Sequence, residues 1–532
     1  MQCTVSHMTV EKSTYQVHVM VLLLILALEA SAALVGGDSS WDTRNYHLYD
    51  PFALITGKWK IDIAAAQMQS YFSPATDIPY YFLSRTIAST PLLNILLEIP
   101  HAAAVSLAFL LSLRLLRAAD LVSRLTAAVG TLIGTTGAAT MPYMATAVSD
   151  MSGVSLILGG LLVLVPKDRS ESLRPIRFFV AAALFGAAVG LKLTFICAAG
   201  GLCAAVLVLP AAGPSVILWR FVAIACGGVV GGLITGGWWW AFAWHAWENP
   251  VFPLFNNIFH SPLLGTNSFR DDAYLPKSFL AAMMMPFLWG GPFRWAIYFQ
   301  QAVAESHLRD PRFAIALTAG AVLLARLIRR APRSDPRIFI VVFFVVSFVI
   351  WEIMFSIIRY LSFLELLTGT LIAVCAASFV GTRGGRTVVL LGLVAAFGVI
   401  EAITIYPTVP RAAPGSRPLE VTLPAVSSDG MVVLLDGSPV AYLALFEPLS
   451  VRFVGANNNL IRPDGASALE RQASAAIVGH EGEIWGLETP EDYPGEADRA
   501  LAFYVLERSS CAWVRSNLVD SGRVRMCRLK RG

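Results

Sequence analysis

Charge is scarce in this chain: only 14% of its 532 residues are Asp, Glu, Lys or Arg, while 56% are hydrophobic. A water-soluble domain of this length needs a more polar surface, so the composition excludes a soluble globular protein. The 40 basic and 36 acidic residues nearly balance, and the formal charge of +4 gives no support to nucleic-acid binding. The sequence has no Walker loop, no strand-associated Gly-x-Gly-x-x-Gly, no His-Glu-x-x-His and no Gly-x-Ser-x-Gly. Nucleotide-driven transport and the common hydrolase mechanisms lose their usual supports. The alternating ten-residue strands of a membrane barrel are missing, and no internal repeat is evident. Cysteine is limited to 7 residues, of which Cys197, Cys203, Cys226 and Cys375 sit in apolar runs as small hydrophobes.

What the chain does contain is apolar blocks of about 15 to 25 residues, the length that crosses a ~30 Å hydrocarbon core as helix. Breaks rich in arginine or in Trp and Pro separate them. Cationic connectors are retained in the cytoplasm. On that rule Arg114, Arg117 and Arg124, then Lys167, Arg169, Arg174 and Arg177, then Arg220, mark the inner side, as do Arg326, Arg329, Arg330, Arg333 and Arg337, and Arg383 with Arg386. Spans are expected at about 17–36, 92–113, 125–147, 151–166, 178–191, 193–210, 219–237, 313–328, 338–358, 361–380 and 387–406. The first, Val17 to Gly36 after Lys12, is long enough to read as a retained span; cleavage after Ala30-Ser31-Ala32 is the alternative.

Eleven spans from a cytoplasmic N-terminus place everything beyond Tyr406 outside. The expected organisation is therefore a membrane module over 1–406, a Pro/Gly/Ser-rich linker over 407–418, and a small extracytoplasmic α/β domain over 419–532. In that domain strands are expected at Met431–Leu435, Val451–Val454, Ala475–Val478, Cys511–Val514 and Val524–Leu529, with helices near Ala466–Ala473 and Glu496–Val505. Cys511 and Cys527 fit a disulfide in an oxidising compartment. The outer loops are then 37–91 and 238–312, with shorter outer turns at Asp150, at Gly190-Leu191-Lys192-Leu193-Thr194 and at Arg359-Tyr360. Pro79 to Ile87 and Ala281 to Trp289 are apolar but too short to cross, and suggest re-entrant or interfacial helices.

Chemistry-bearing residues gather in those outer segments. If helical, Asp42, Tyr46 and Asp50 share a face with His47 beside them, and Asp62 and Asp77 follow. A carboxylate there can act as a general base, and Asp42 with His47 can hold a divalent ion such as magnesium or manganese; an interfacial aromatic belt formed by Trp41 and Tyr46 is the other account. Asp150 is either an acid site or a helix N-cap. Lys192, alone in an apolar stretch of about 33 residues, either snorkels to the interface or binds an anion. Arg359 suits bidentate phosphate binding, with an ion pair to Glu352 or Glu365 as the alternative. Trp244, His245 and Asn249, with the Asn249-Pro250-x-x-Pro253 break, can line a sugar or prenyl groove or anchor the interface. Asn457-Asn458-Asn459 reads as a turn.

In their order and their common side these segments resemble the GT-C superfamily of membrane glycosyltransferases, which use polyprenyl-phosphate-linked sugars. The pieces are Asp42 with Tyr46-His47, Asp150, the Gly-Leu-Lys-Leu-Thr turn, the Trp-rich helix end into Asn249-Pro250-Val251-Phe252-Pro253, and Arg359-Tyr360 before Glu365-Leu366-Leu367. The resemblance implies a helical bundle in the inner membrane that transfers a hexosyl or pentosyl unit to a glycan, lipid or protein acceptor of the envelope. Asp42 would be its base or metal ligand and Asp150 a second acid. Lys192, Arg359, Tyr46, His47, Trp244, His245, Asn249 and Tyr360 would contact the substrates. The commonest first-loop pattern pairs adjacent acids; here Thr43 follows Asp42. A transporter or flippase of a lipid-linked substrate, or a non-catalytic envelope-assembly protein, fits the same composition.

Overall fold

A computed structural model describes residues 2–532 except 149, 168–172, 211–212, 268, 270, 290–301 and 331–334, with residues 2–14 described as backbone alone. Two of the expected inner cations, Arg169 and Arg333, lie outside the described residues. Helices stand at all eleven expected positions: α1 Gln2–Leu34, α2 Thr90–Leu116, α3 Leu121–Thr135, α4 Asp150–Leu164, α5 Pro175–Leu191, α6 Ile196–Leu207, α7 Pro214–Thr235, α8 Arg312–Arg330, α9 Pro336–Met354, α10 Ser362–Ala377 and α11 Arg383–Ile403. Among the described residues, six helical stretches are long and apolar enough to cross a membrane, while α3, α4, α5 and the stretch Leu193–Leu207 are apolar but shorter. The protein is a polytopic membrane bundle of helices of unequal length.

The third expected span is corrected by this. Helix was expected from 125 to 147, but α3 stops at Thr135. Two buried carboxylates take over the backbone donors that would continue it. Asp310 accepts from the Ala138 N–H at 2.9 Å, and Glu365 from the Ala139 N–H at 2.9 Å. A side chain at Gly137 would collide with the Glu365 carboxyl, so the glycine lets the carboxylate in. The loop that results carries the chain toward Asp150.

Tight helix pairs depend on small residues, since backbones attract in lipid only when they approach closely. Helices α5 and α7 are the most intimate pair: a Cβ on Gly231 would overlap the Ala183 carbonyl, and one on Gly186 the Gly228 carbonyl. Helix α5 ends at Leu191, Lys192 is extended, and a short turn of helix at Leu193–Phe195 leads into α6, so the chain reverses at Lys192.

The C-terminal region is an α/β domain. Its strands are β1 Val421–Thr422, β2 Met431–Leu434, β3 Arg452–Gly455, β4 Ile484–Glu488, β5 Leu506–Trp513, β6 Arg515–Ser516 and β7 Arg525–Arg531, with helices α12 Ala468–Val478 and α13 Glu496–Tyr504. A five-stranded sheet runs β3-β2-β4-β7-β5, with parallel pairing of β2 to β3 and β4, while β1 and β6 form a separate antiparallel pair. A disulfide joins Cys511 and Cys527 across the β5–β7 ladder. Ala475–Val478, expected as a strand, is the last turn of α12. A Ser467–Glu470 capping box starts this helix, and Leu469, Ala473 and Ile477 bury one face at helical spacing. The strands not expected are the two-residue β1 and β6 and the sheet strand β4, where Gly486 weakens the apolar pattern.

The first loop is stitched into this domain. Ile63 pairs with the β3 edge, exchanging hydrogen bonds with Phe453 (3.0 Å) and Gly455 (2.9 Å). Asp62 accepts from the Phe453 N–H at 2.8 Å and pairs with Lys58 at 2.9 Å. The Gln67 amide donates to the Gly437 carbonyl at 2.8 Å, and Asn459 accepts from Met68 N–H at 2.9 Å. The α/β domain thereby holds the loop that carries Asp42. The segment expected as a linker takes part too, since Ala412 N–H donates to the Gly37 carbonyl at 2.8 Å.

Candidate functional site at the loop end of the bundle

Thr43–His47 is a short π-helix, followed by an α-helix over Tyr49–Thr56. An α-helical repeat of four would have aligned Asp42, Tyr46 and Asp50; the wider turn departs from that repeat, and both Tyr46 and His47 lie close enough to Asp42 to feel its charge. Asp38 fixes the start of the turn. One carboxylate oxygen accepts from Ser40 N–H at 2.8 Å, and the other accepts from the Thr43 hydroxyl at 2.5 Å and the Ala147 N–H at 2.8 Å. That last bond ties the first loop to the segment leading into Asp150.

Asp42 is buried and its carboxylate accepts from the Arg359 guanidinium. Arg359 reaches it because α9 ends in a left-handed residue, Ser356 with φ 54°, and the chain turns through Ile358–Leu361 before α10 begins. The alternative partners for Arg359 are thereby excluded: Glu365 accepts from Ala139, and Arg359 pairs with Asp42. Asp150 opens α4, where a carboxylate complements the positive helix end, and it pairs with Lys192 at the end of α5. The Lys192 ammonium lies 5.1 Å and the Arg359 guanidinium 5.4 Å from the ring centre of Tyr360. Asp42, Asp150, Lys192, Arg359 and Tyr360 thus form one constellation, drawn from four separate segments.

His47 Nδ1 is 2.7 Å from Asp77, and its ring packs 4.2 Å from that of Tyr46. Burial tends to lower the His47 imidazole, but Asp77, with Asp42 and Asp38 behind it, holds it above its ordinary value. Burial tends to raise the Asp42 carboxyl, and Arg359, His47 and Lys192 together bring it below the usual carboxylate range. Asp50 has no such neighbour: burial, then Asp77, push it well above that range, and neither of its oxygens has a hydrogen-bond partner. The phenol of Tyr46 is also raised well above its ordinary value, by burial first and then Asp42.

The expected metal pair does not fit. A guanidinium occupies the Asp42 carboxylate and Asp77 takes His47 Nδ1. Among the described residues, no group of three or more His, Cys, Asp or Glu is placed to hold an ion. The Trp-rich segment also departs from a substrate-lining role for all of its members. Asn249 is fully buried and donates to the Leu254 carbonyl at 2.9 Å while accepting from Val251 N–H at 3.0 Å, which shapes its own turn. Trp239, Trp247 and Phe252 pack with Tyr71 in a core shared with the α/β domain. Trp244 and His245 are exposed. None of the three expected contacts from this segment, Trp244, His245 or Asn249, bonds to the acidic pairs among the described residues.

Sequence reasoning missed Asp38, Glu98, His101, Asp310 and Arg312. The first is a short-range capping residue without a motif. The pair Glu98-x-x-His101 was detectable, because two ionisable residues one turn apart in an apolar run are costly unless they serve something.

A helical membrane bundle whose first loop is bound into a C-terminal α/β domain, with acidic and basic residues converging beside that loop, is a fold already present among solved structures. Among solved structures the chain is similar to ArnT from Cupriavidus metallidurans in the apo state, with a TM-score of 0.52 and 13% identity over 97% of this chain and 98% of that one. A crystal structure of the same ArnT bound to undecaprenyl phosphate gives a TM-score of 0.49 and 13% identity over 96% and 97%. No protein-family model and no curated protein sequence matches the chain. The likeness establishes the fold.

Proposed function

We propose that this protein is a membrane glycosyltransferase that moves a hexosyl or pentosyl unit from a polyprenyl-phosphate donor to an acceptor of the cell envelope at the outer face of the inner membrane. The reading takes the N-terminus as cytoplasmic and the α/β domain as extracytoplasmic. The observation that carries it is the pairing of both cations beside Tyr360 with carboxylates: Arg359 with Asp42, and Lys192 with Asp150. Two cations at a loop-facing helix end suit a phosphate whose charge grows as its bond to the sugar breaks. A carboxylate beside them suits the acceptor hydroxyl.

In the step itself the acceptor oxygen attacks the anomeric carbon, its proton passes to Asp42, and the carbon–oxygen bond to phosphate breaks. The polyprenyl phosphate leaves with the electron pair, stabilised by Arg359 and Lys192. A single displacement inverts the anomeric centre. Before this, the donor phosphate competes with Asp42 for Arg359, so donor binding frees the base. Asp50, whose carboxyl burial and Asp77 push well above the usual carboxylate range, is not cast as a second nucleophile.

The test uses the purified full chain in nanodiscs, a panel of polyprenyl-phosphate-linked hexoses and pentoses, and undecaprenyl phosphate as the binding probe. Asp42→Asn is expected to slow release of polyprenyl phosphate by about 10²–10³-fold while binding the probe more tightly, because Arg359 has lost its competitor. Transfer at the wild-type rate by Asp42→Asn rejects the mechanism. Movement of intact donor across the bilayer in sealed proteoliposomes, without sugar transfer, identifies a flippase instead.

A further inference from the structure

Asp150 has two oxygens, and the ion pair with Lys192 uses one of them. The other, Oδ2, is buried without a hydrogen-bond partner in the protein. Asp150 borders a cavity of about 30 Å³ lined also by Glu98, His101, Thr140, Tyr143 and Ala145, among others. His101 belongs to α2, is 2% exposed, and its Nδ1 contacts the Glu98 carboxylate. Its Nε2 is likewise buried without a partner. The second oxygen of Glu98 accepts from the Ala145 N–H at 2.9 Å, which fixes the carboxylate and through it the ring.

The acceptor count is informative. With Glu98 at Nδ1, the proton of a neutral imidazole sits on that nitrogen and Nε2 is left as an acceptor. Asp150 Oδ2 is an acceptor too. Two buried acceptors cannot satisfy each other, and leaving either one unmade is costly. A molecule with two donors is the natural complement, and the cavity has room for a water.

We propose that His101, oriented by Glu98, is a positioning residue for Asp150, acting through a water that donates one hydrogen to Nε2 and the other to Oδ2. The bridge aims the remaining Asp150 oxygen at Lys192, and so sets the cation that the proposed transferase reaction places on the phosphate. Its role in the reaction rests on that reading of Asp150; its existence does not. The pair His101 and Glu98 is then the far side of the same site, reached from within the bundle.

The bridge is tested in the full chain, labelled with ¹⁵N-histidine and reconstituted in bilayers, by solid-state NMR. The His101 resonances are assigned by their loss in His101→Gln. The neutral tautomer with the proton on Nδ1 is expected, and Asp150→Asn, which turns one acceptor into an amide, should shift the Nε2 resonance by several ppm. An Nε2 resonance indifferent to Asp150→Asn overturns the bridge. The positioning role is read from release of polyprenyl phosphate. His101→Leu should cut the rate about tenfold, while His101→Gln, which keeps an acceptor and a donor, should stay within about twofold. Combining His101→Leu with Asp150→Asn should add no further loss. Multiplied losses overturn the positioning role, and an Asp150→Asn chain that releases polyprenyl phosphate normally overturns the reading of Asp150 beneath it while the NMR result stands by itself.

Discussion

Arg312 and Arg359 both stand near helix ends in the same bundle, yet their surroundings differ in completeness. Every side-chain nitrogen of Arg312 donates: Nε to the Ile133 carbonyl at 2.7 Å, one terminal nitrogen to Asp310 at 3.0 Å and Thr404 at 3.1 Å, the other to Thr136 at 3.1 Å and to Glu401. Arg359 has its ion pair with Asp42, and its Nε is buried without a partner. Asp150 and His47 likewise keep an unpartnered buried atom each. A charge whose hydrogen bonds are all made within the fold has no capacity left for a substrate. Arg312 is therefore scaffold, clasping α3, α8 and α11, while Arg359 keeps capacity for the phosphate proposed above.

Substitution should separate the two arginines sharply. Arg312→Gln leaves Asp310 and Glu401 without their countercharge and should cost about 3–5 kcal/mol of stability. Arg359→Gln should cost under about 2 kcal/mol, because His47 and Lys192 still face Asp42, but lower transfer by about 10²–10³-fold. Thermal unfolding in detergent and release of polyprenyl phosphate measure the two. Equal losses of stability would erase the distinction.

The same contrast explains what could be read from the chain. Span positions were legible because apolar runs and basic connectors follow from the bilayer alone. Asp42, Asp150, Lys192 and Arg359 were legible as isolated polar residues at predicted outer turns. Their pairing was not, since Asp42 and Arg359 are 317 positions apart and the contact depends on how α9 breaks at Ser356. The early end of α3 was hidden for a similar reason: the carboxylates that stop it come from Asp310 and Glu365, on other segments. The π-turn left no sequence signal, so the α-helical alignment of Asp42 with Asp50 did not anticipate that His47 is bonded to Asp77.

Asp50 tests whether incompleteness always means function. Its raised carboxyl has a cost with a definite sign. The unfolded chain releases the proton near the ordinary value while the folded chain retains it, so stability falls as pH rises above about 4. Asp50→Asn removes that slope and should raise stability at neutral pH by on the order of 1 kcal/mol, with transfer unchanged. Unfolding midpoints across pH compare the two, and an Asp50→Asn protein that loses stability at neutral pH makes Asp50 a charged, partnered group.

His47 should give the smallest effect and the opposite pH dependence. Asp77, Asp42 and Asp38 face its ring and Tyr46 packs on it, and together the acids favour the imidazolium. A folded value above the unfolded one means that the ion pair contributes fully below about pH 6.5 and fades as pH rises through the folded value. The stability gap between wild type and His47→Gln should therefore be under about 1 kcal/mol, widest in mild acid, and closing toward alkaline pH. A gap that widens with pH reverses the sign and makes the neutral imidazole the stabilising form. The Asp77 contact would then orient a neutral ring with Nε2 as a free acceptor, and His47 would rank beside Asp42 as a receiver of the acceptor's proton.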